Sequence, residues 1–125
     1  MSLAISGTNI FAGCWFEGVF LSTNNGTSWT QVNTGLPDTL GIVYVRSLAV
    51  SGTNIYAGIA YPPAPPFNGG GVYLSTNNGT NWTEIGFAYH DVGALAALDS
   101  YLFAATDSGV FLTTNNGVSW TPVNN

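Results

Sequence analysis

The sequence contains almost no positive charge, since it has no lysine and Arg46 is its single arginine. Six carboxylate side chains leave a formal net charge of −5 over 125 residues. Nucleic acids and anionic membrane surfaces are bound through lysine and arginine side chains that neutralise phosphates. The composition therefore excludes nucleic acid and an anionic membrane surface as expected partners.

Cysteine, histidine and long apolar runs are also scarce. Cys14 is the single cysteine, so no disulfide forms within the chain; a small apolar role and a bond between two chains both stay open. One cysteine and one histidine do not make a metal site, and no cofactor is expected. No apolar run approaches the about 18 residues that cross a bilayer, so membrane insertion is not expected. No charged segment is followed by an apolar one, so a signal peptide is not expected either. A surface of Ser, Thr, Asn and Gly without lysine favours a secreted, periplasmic or cell-surface protein.

What the sequence does contain is a repeat. The phrase STNNGTSW at 22–29 returns as STNNGTNW at 75–82 and as TTNNGVSW at 113–120. Each copy follows a glycine, a valine, an aromatic residue and a leucine. Repetition of this length is typical of stacked units that cannot bury their apolar faces alone.

Each repeat unit predicts four short strands, A to D, joined as an antiparallel meander. The predicted strands lie near 2–6, 9–15, 18–23 and 28–32 in unit 1, near 46–51, 54–61, 70–76 and 81–85 in unit 2, and near 93–98, 101–106, 109–114 and 119–123 in unit 3. Four strands every 40–45 residues or so are typical of a β-propeller blade. We therefore predict an all-β domain, 1–125, of three four-stranded antiparallel blades spanning about 2–33, 46–86 and 93–124.

The Asn-Asn-Gly segment predicts the turn between strands C and D. Asn-Gly favours the positive φ angles of tight hairpin turns. The preceding asparagine is expected to bond backbone amides two residues on, with a second bond from the Ser or Thr hydroxyl. The tryptophan is expected to lie across the apolar side of the hairpin.

This arrangement resembles the Asp-box, or BNR, motif Ser-x-Asp-x-Gly-x-x-Trp, with Asn in place of the family's Asp. Proteins with this motif include sialidases, xyloglucan-hydrolysing glycosidases, sortilin-like receptors and photosystem II assembly factors, all β-propellers. The resemblance implies that the boxes are structural and lie away from the ligand face. The residues concerned are Ser22, Asn24, Gly26, Trp29, Ser75, Asn77, Gly79, Trp82, Thr113, Asn115, Gly117 and Trp120.

Three blades do not close a ring, because propellers typically have about four to eight. The outer faces of blades 1 and 3 would be left uncovered, and large apolar patches are rare on monomers. Two chains would supply six blades, and two-fold assemblies are the commonest oligomers. We therefore expect a homodimer, with a fragment of a longer propeller as the alternative.

The A–B and C–D turns are nearly uniform between units, whereas the B–C and D–A loops differ in every copy. Irregular loops rich in aromatic and charged residues on one rim suggest recognition of a glycan or a protein segment. The alternatives are that Trp15 covers a blade edge, that 61–69 is a rigid linker, and that Arg46 pairs with Glu17 or Asp91. The candidate ligand-binding residues are Trp15, Phe16, Glu17, Arg46, Tyr61, Phe67, Asp91 and Asp107.

Enzymatic functions fit the sequence poorly. The sialidases that the motif resembles bind a carboxylate with three arginines, which one arginine per chain does not reproduce. Glycosidases need two carboxyls at a defined spacing; Glu17, Asp91 and Asp107 share the variable rim, but nothing in the sequence places them together. We expect a non-enzymatic binding or scaffold module. The alternatives are a piece of a carbohydrate-active enzyme and a purely structural repeat.

Overall fold

In the computed structural model, which describes residues 1–38, 40–60 and 69–124, the chain forms three four-stranded sheets. Blade 1 comprises β1 (Ser2–Ser6), β2 (Asn9–Cys14), β3 (Gly18–Ser22) and β4 (Thr30–Gln31). Blade 2 comprises β5 (Val45–Ser51), β6 (Asn54–Ile59), β7 (Gly71–Ser75) and β8 (Thr83–Gly86). Blade 3 comprises β9 (Val92–Leu98), β10 (Tyr101–Thr106), β11 (Gly109–Thr113) and β12 (Thr121–Pro122).

Every blade is an antiparallel meander in chain order, so the predicted all-β architecture is confirmed. The described ranges contain no helix, and hence none that could span a membrane. The first three strands of each blade agree with prediction to within about two residues. Strands β4 and β12 have only two residues each, whereas five were predicted. The residues predicted to begin these strands, Ser28 and Ser119, instead bond the asparagine side chains of the preceding loops and lie outside the ladder.

The three Asn-Asn-Gly loops share one hydrogen-bond pattern. In blade 1 the Ser22 hydroxyl donates to Asn24 Oδ1 (3.0 Å) and accepts from the Gly26 amide (2.9 Å). Asn24 Oδ1 then accepts from the Ser28 amide (2.9 Å), and its Nδ2 donates to Ser28 Oγ (2.8 Å). Blades 2 and 3 repeat every one of these bonds at the equivalent residues, Ser75, Asn77, Gly79, Asn81, Thr113, Asn115, Gly117 and Ser119.

The expectation that the first asparagine bonds an amide two residues on was wrong. Its side chain reaches the amide four residues on, while the Ser or Thr hydroxyl takes the amide at two (3.3–3.4 Å). The predicted positive φ angles are present, at 55° for the second asparagine and 80–85° for the glycine of each loop. The loop is therefore longer than a two-residue hairpin turn, and its side chains replace the missing ladder bonds.

Each blade has two apolar faces, which we name by what they contact. The front face packs on the preceding blade, and the back face packs on the following one. The back face of blade 1 packs on the front face of blade 2. Phe11 and Val19 contribute from blade 1, and Leu48, Ile55 and Trp82 contribute from blade 2. Between blades 2 and 3 the equivalent positions pack together, namely Tyr56, Val72, Leu95, Leu102 and Trp120.

The two tryptophans bond each junction as well as filling it. Trp82 Nε1–H donates to the carbonyl oxygen of Val32 on blade 1 (2.7 Å). Trp120 Nε1–H donates to the carbonyl oxygen of Ile85 on blade 2 (3.0 Å). Val32 and Ile85 occupy the same position in their units, three residues after the tryptophan. One hydrogen bond thus recurs at both internal junctions.

Candidate functional site

The variable loops lie on one rim of the three blades, because alternate connections of a meander share an edge. In the described chain this rim is built from 15–17, 60, 69–70 and 107–108 between second and third strands, and from 32–38, 40–44 and 87–91 between blades. The opposite rim carries the short turns and the Asn-Asn-Gly loops. Tyr61 and Phe67, both predicted site residues, lie outside the described residues.

Three aromatic rings form a cluster on the variable rim. Trp15, Phe16 and Tyr44 meet edge-to-face, with centroids 5.5 Å apart for Trp15 and Tyr44, 5.8 Å for Phe16 and Tyr44, and 6.2 Å for Trp15 and Phe16. Trp15 and Tyr44 are partly buried, whereas Phe16 is 58% exposed. Edge-to-face contacts stabilise ring pairs beyond simple burial. Phe16 is therefore an exposed ring held in place by two less exposed ones.

Arg46 joins this cluster to blade 3. Its guanidinium carbon lies 4.8 Å from the centroid of the Trp15 ring, a cation–π contact. Its Nη2 atom lies 3.2 Å from Oδ2 of Asp91, which precedes β9. Of the two partners that the sequence left open for Arg46, the structure selects Asp91.

Backbone contacts fix the loop between blades 1 and 2 at both of its edges. Glu17 and Val43 form an isolated parallel bridge, and the Val43 amide donates to the Phe16 carbonyl (3.4 Å). On the other side the Ala60 amide donates to the Tyr44 carbonyl (2.8 Å). Phe16 and Tyr44 are therefore both held by their main chains, which lowers the entropy lost when a ligand binds.

A second polar pair lies on the blade 3 part of the rim. His90 Nδ1 is 3.0 Å from Asp107 Oδ1, and the Asp107 amide donates to the Asp91 carbonyl (3.1 Å). The contact with His90 holds the pKa of the Asp107 carboxyl below its usual value. Both side chains are about half exposed.

The rim is acidic. Glu17, Asp38, Asp91 and Asp107, four of the six carboxylates in the chain, belong to its loops, against one arginine and one histidine. A surface of one sign attracts partners of the opposite sign and speeds their encounter. Positive charge on a ligand would therefore favour binding here.

A cleft of about 240 Å³ lies on the same rim, outside the aromatic cluster. Its walls are Pro37, Gly69, Gly70, Tyr73, Glu84, Ala88 and Tyr89. Burial raises the pKa of Tyr73 to about 12, and the negative charge of Glu84 adds to the effect. The cleft thus presents a neutral phenol beside a carboxylate and the exposed ring of Tyr89.

The raised pKa of Tyr73 predicts a loss of stability in alkali. The folded chain keeps the phenolic proton up to about pH 12, whereas an unfolded tyrosine releases it near 10.0. Tyr73 therefore contributes stability that is complete below pH 10 and is lost as the pH rises towards 12. Urea unfolding of the native chain and of Tyr73→Phe should be compared between about pH 8 and pH 11. Above about pH 10 the free energy of unfolding of the native chain should fall relative to that of Tyr73→Phe. Parallel curves for the two proteins would contradict the assignment.

The structure brings together four of the predicted site residues, Trp15, Phe16, Arg46 and Asp91. Asp107 lies in the separate pair with His90. Glu17 contributes its main chain, since its carbonyl accepts bonds from Gln31 Nε2 (2.8 Å) and Asn33 Nδ2 (2.9 Å). Tyr44 was not among the predicted site residues. It lies directly before β5 and two residues before Arg46, and this position is the signal that could have identified it.

The arrangement suits non-covalent recognition. Among the described residues no three His, Cys, Asp or Glu side chains are grouped closely enough to hold a metal ion. The exposed ring, the arginine on its aromatic support and the acidic loops supply stacking, hydrogen bonds and charge. These are the interactions that bind a peptide or a sugar.

No protein-family model and no curated protein matches the sequence. Solved structures do match. YCF48 from Cyanidioschyzon merolae superposes with a TM-score of 0.70 at 18% identity, covering 97% of this chain and 35% of that one. A structure of YCF48 bound to D1 peptide gives 0.68 at 16% identity, covering 97% and 39%. The GH74 xyloglucanase from Xanthomonas campestris gives 0.68 at 20% identity, covering 94% and 19%.

These likenesses show the fold, which is that of β-propeller blades. The chain spans less than two fifths of each of these structures. They include an enzyme and a protein captured with a peptide, so the fold is shared by chains of different function.

Proposed function

We propose that this protein is a non-enzymatic propeller module whose variable rim binds a short protein segment carrying apolar and basic side chains. The observation that carries the proposal is the aromatic cluster, with Phe16 exposed and supported by Trp15 and Tyr44. Aromatic residues of this kind, together with arginine, are the usual centres of binding energy at interfaces. In this function the Asn-Asn-Gly loops are structural, as in the Asp-box proteins that they resemble.

A basic segment is favoured by the charge of the rim. The four rim carboxylates outnumber the single arginine, and Arg46 is already paired with Asp91. A lysine or arginine in the ligand gains from this field, whereas an acidic segment is repelled. The structure of YCF48 bound to D1 peptide shows that a propeller with similar blades is compatible with a peptide ligand.

A glycan is the second candidate ligand. An exposed aromatic ring stacks on a sugar as well as on an apolar side chain. The fold is also shared with a xyloglucanase, an enzyme that acts on a carbohydrate. The protein-segment proposal is preferred because the rim carries net negative charge, which a neutral sugar does not use.

The absence of lysine from the chain supports, in addition, an exported location.

The proposal is tested with a display library of short peptides panned against the whole chain. Selected peptides should be enriched in lysine or arginine next to apolar residues, and their affinity should fall as salt is raised. Replacing Phe16 or Trp15 by alanine should weaken binding by roughly 30-fold or more, as for a central interface residue. Titration calorimetry with one selected peptide provides the measurement.

Val118→Ala is the matched control, because Val118 is 85% exposed on the opposite rim. It should leave the affinity unchanged. If Phe16→Ala and Trp15→Ala also leave it unchanged, the rim assignment is wrong. Binding on a glycan array without any peptide enrichment would transfer the site to carbohydrates, and turnover of any sugar substrate would defeat the non-enzymatic proposal.

A further inference from the structure

Two apolar faces of the three-bladed unit are uncovered, the front face of blade 1 and the back face of blade 3. Leu3 on the first is 67% exposed, whereas its equivalent Leu48 in blade 2 is 7% exposed. Val110 on the second is 37% exposed, whereas its equivalent Val72 is fully buried. The two uncovered faces therefore carry the same residue types that are buried inside the unit.

The polar groups of these faces are equally matched. Trp29 of blade 1 is 41% exposed, and it is the equivalent of Trp82 and Trp120, whose indole N–H groups bond the preceding blade. The carbonyls that accept those bonds belong to Val32 and Ile85. Their equivalent in blade 3 is Val123, which is 42% exposed. One uncovered face thus has the donor of the recurring junction bond, and the other has its acceptor.

We propose that the uncovered faces bind each other between two copies of this chain, back face of blade 3 to front face of blade 1, closing a ring of six blades. Trp29 Nε1–H of one copy donates to the Val123 carbonyl of the other, at each of two identical junctions. Six blades lie within the usual range of about four to eight. Two heterologous contacts related by a two-fold axis close the assembly and leave no open end.

Glycine contacts support the same pairing. Gly79 packs so closely on blade 1 that an added Cβ would lie 2.8 Å from Val32 Cγ2, and Gly117 relates to Ile85 of blade 2 in the same way at 2.7 Å. At Gly26, the equivalent in blade 1, an added Cβ would meet only Trp29 of its own loop, at 3.7 Å. Gly26 has nearly the same positive φ as Gly79 and Gly117, and the space beside it is open to a neighbour's Val123.

The proposed junction differs from the internal ones at its polar edge. Inside the chain the Ser2 hydroxyl accepts from the Leu48 amide (3.1 Å), and Ser47 accepts from Leu95 (2.9 Å). Blade 3 has Ala94 at this position, so the hydroxyl is missing from the contact with the second copy. Ala94→Ser restores it and is expected to tighten the dimer roughly 25-fold, since each net hydrogen bond contributes about fivefold and the ring contains two junctions.

The test measures solution mass by light scattering or sedimentation across the micromolar range. The native chain should have twice the 13.1 kDa of one chain. Leu3→Arg and Val110→Arg each place a charge on one uncovered face and should each give a monomer with unchanged far-UV circular dichroism. Val118→Arg places the same charge on the opposite rim, which carries the Asn-Asn-Gly loops, and should stay dimeric.

Mixing the two monomeric variants distinguishes the arrangement of the faces. Leu3→Arg retains an intact blade 3 face and Val110→Arg an intact blade 1 face, so an equimolar mixture should form a heterodimer through one junction. If blade 1 faces paired with each other, Val110→Arg would remain a dimer and the head-to-tail proposal would be overturned. A native chain that is monomeric throughout the range overturns it as well, and favours the alternative in which further blades of a longer propeller cover both faces.

The Trp29–Val123 bond has its own readout. Trp29→Phe keeps an aromatic ring and removes the donor, so the dimer dissociation constant should rise roughly 25-fold, again because the bond occurs twice. An unchanged dissociation constant would overturn the bond. The peptide-binding proposal is independent of this result, because Phe16 and Arg46 lie on the rim of blades 1 and 2, away from both uncovered faces.

Discussion

Replacing Trp82 by alanine should destabilise the chain by about 4 kcal/mol, the largest effect that we expect from any single side chain. Trp82 is 4% exposed and fills the junction between blades 1 and 2. Its removal leaves a cavity and also deprives the Val32 carbonyl of its partner. This loss is a large part of the about 5–15 kcal/mol that stabilises a small domain. Because each 1 kcal/mol lost lowers the melting temperature by about 4 °C in a domain of this size, the fall should be roughly 15 °C.

Trp29→Ala is the matched control, because the two tryptophans occupy the same position in their repeats. At a dilution where the chain is monomeric, Trp29→Ala should cost about 1 kcal/mol, since its side chain is 41% exposed. Chemical denaturation followed by circular dichroism measures both changes. Equal losses for the two variants would show that the indole acts within its own loop and does not hold two blades together.

Gly79→Ala should cost about 3 kcal/mol, and Gly26→Ala only about 1 kcal/mol, although both residues have nearly the same backbone conformation. Their φ angles are +80° and +82°, so the strain of placing a Cβ in the left-handed region is shared. Only at Gly79 does the new methyl group meet another blade, 2.8 Å from Val32 Cγ2 and 3.1 Å from its Cβ. The difference between the two variants therefore isolates the contact between blades.

The same denaturation experiment at low chain concentration tests this pair. Raising the concentration adds information, because Gly26→Ala should then also weaken the dimer if a second copy covers blade 1. Equal destabilisation of the two variants in the monomer would mean that blade 2 stands further from Val32 than the structure has it.

The blades were predictable because their repeat supplies three readings of one pattern. An ambiguous strand in one unit is settled by its counterparts, and the valines, leucines and Asn-Gly pairs recur at fixed spacing. What was missed lies in the short fourth strand and in the route of the asparagine bonds. There, side chains compete with the backbone ladder, and the outcome depends on distances that spacing alone does not give.

The site was less predictable than the blades, because each variable loop occurs once. Trp15, Phe16, Arg46 and Asp91 were chosen for their residue types and their rim, yet their contacts depend on how two blades are placed. Tyr44 was overlooked because it precedes the strand and has no counterpart of its kind, Asp91 being its equivalent in blade 3. For Trp15 the sequence left open ligand binding or cover of a blade edge; in the structure it is half-buried, with the Arg46 guanidinium over its ring.

The recurring bond between a tryptophan and the strand of the blade before it bears on how such proteins change size. The same bond joins blade 1 to blade 2 and blade 2 to blade 3. A gene segment that encodes one unit can therefore be duplicated or deleted, and the units that become neighbours form the same contact. The number of blades in a closed ring would then depend on the angle between successive sheets and not on any single pair of side chains. The variable loops can meanwhile change in sequence. Similarity between units is therefore kept on the rim that carries the Asn-Asn-Gly loops, and differences between units accumulate on the variable rim.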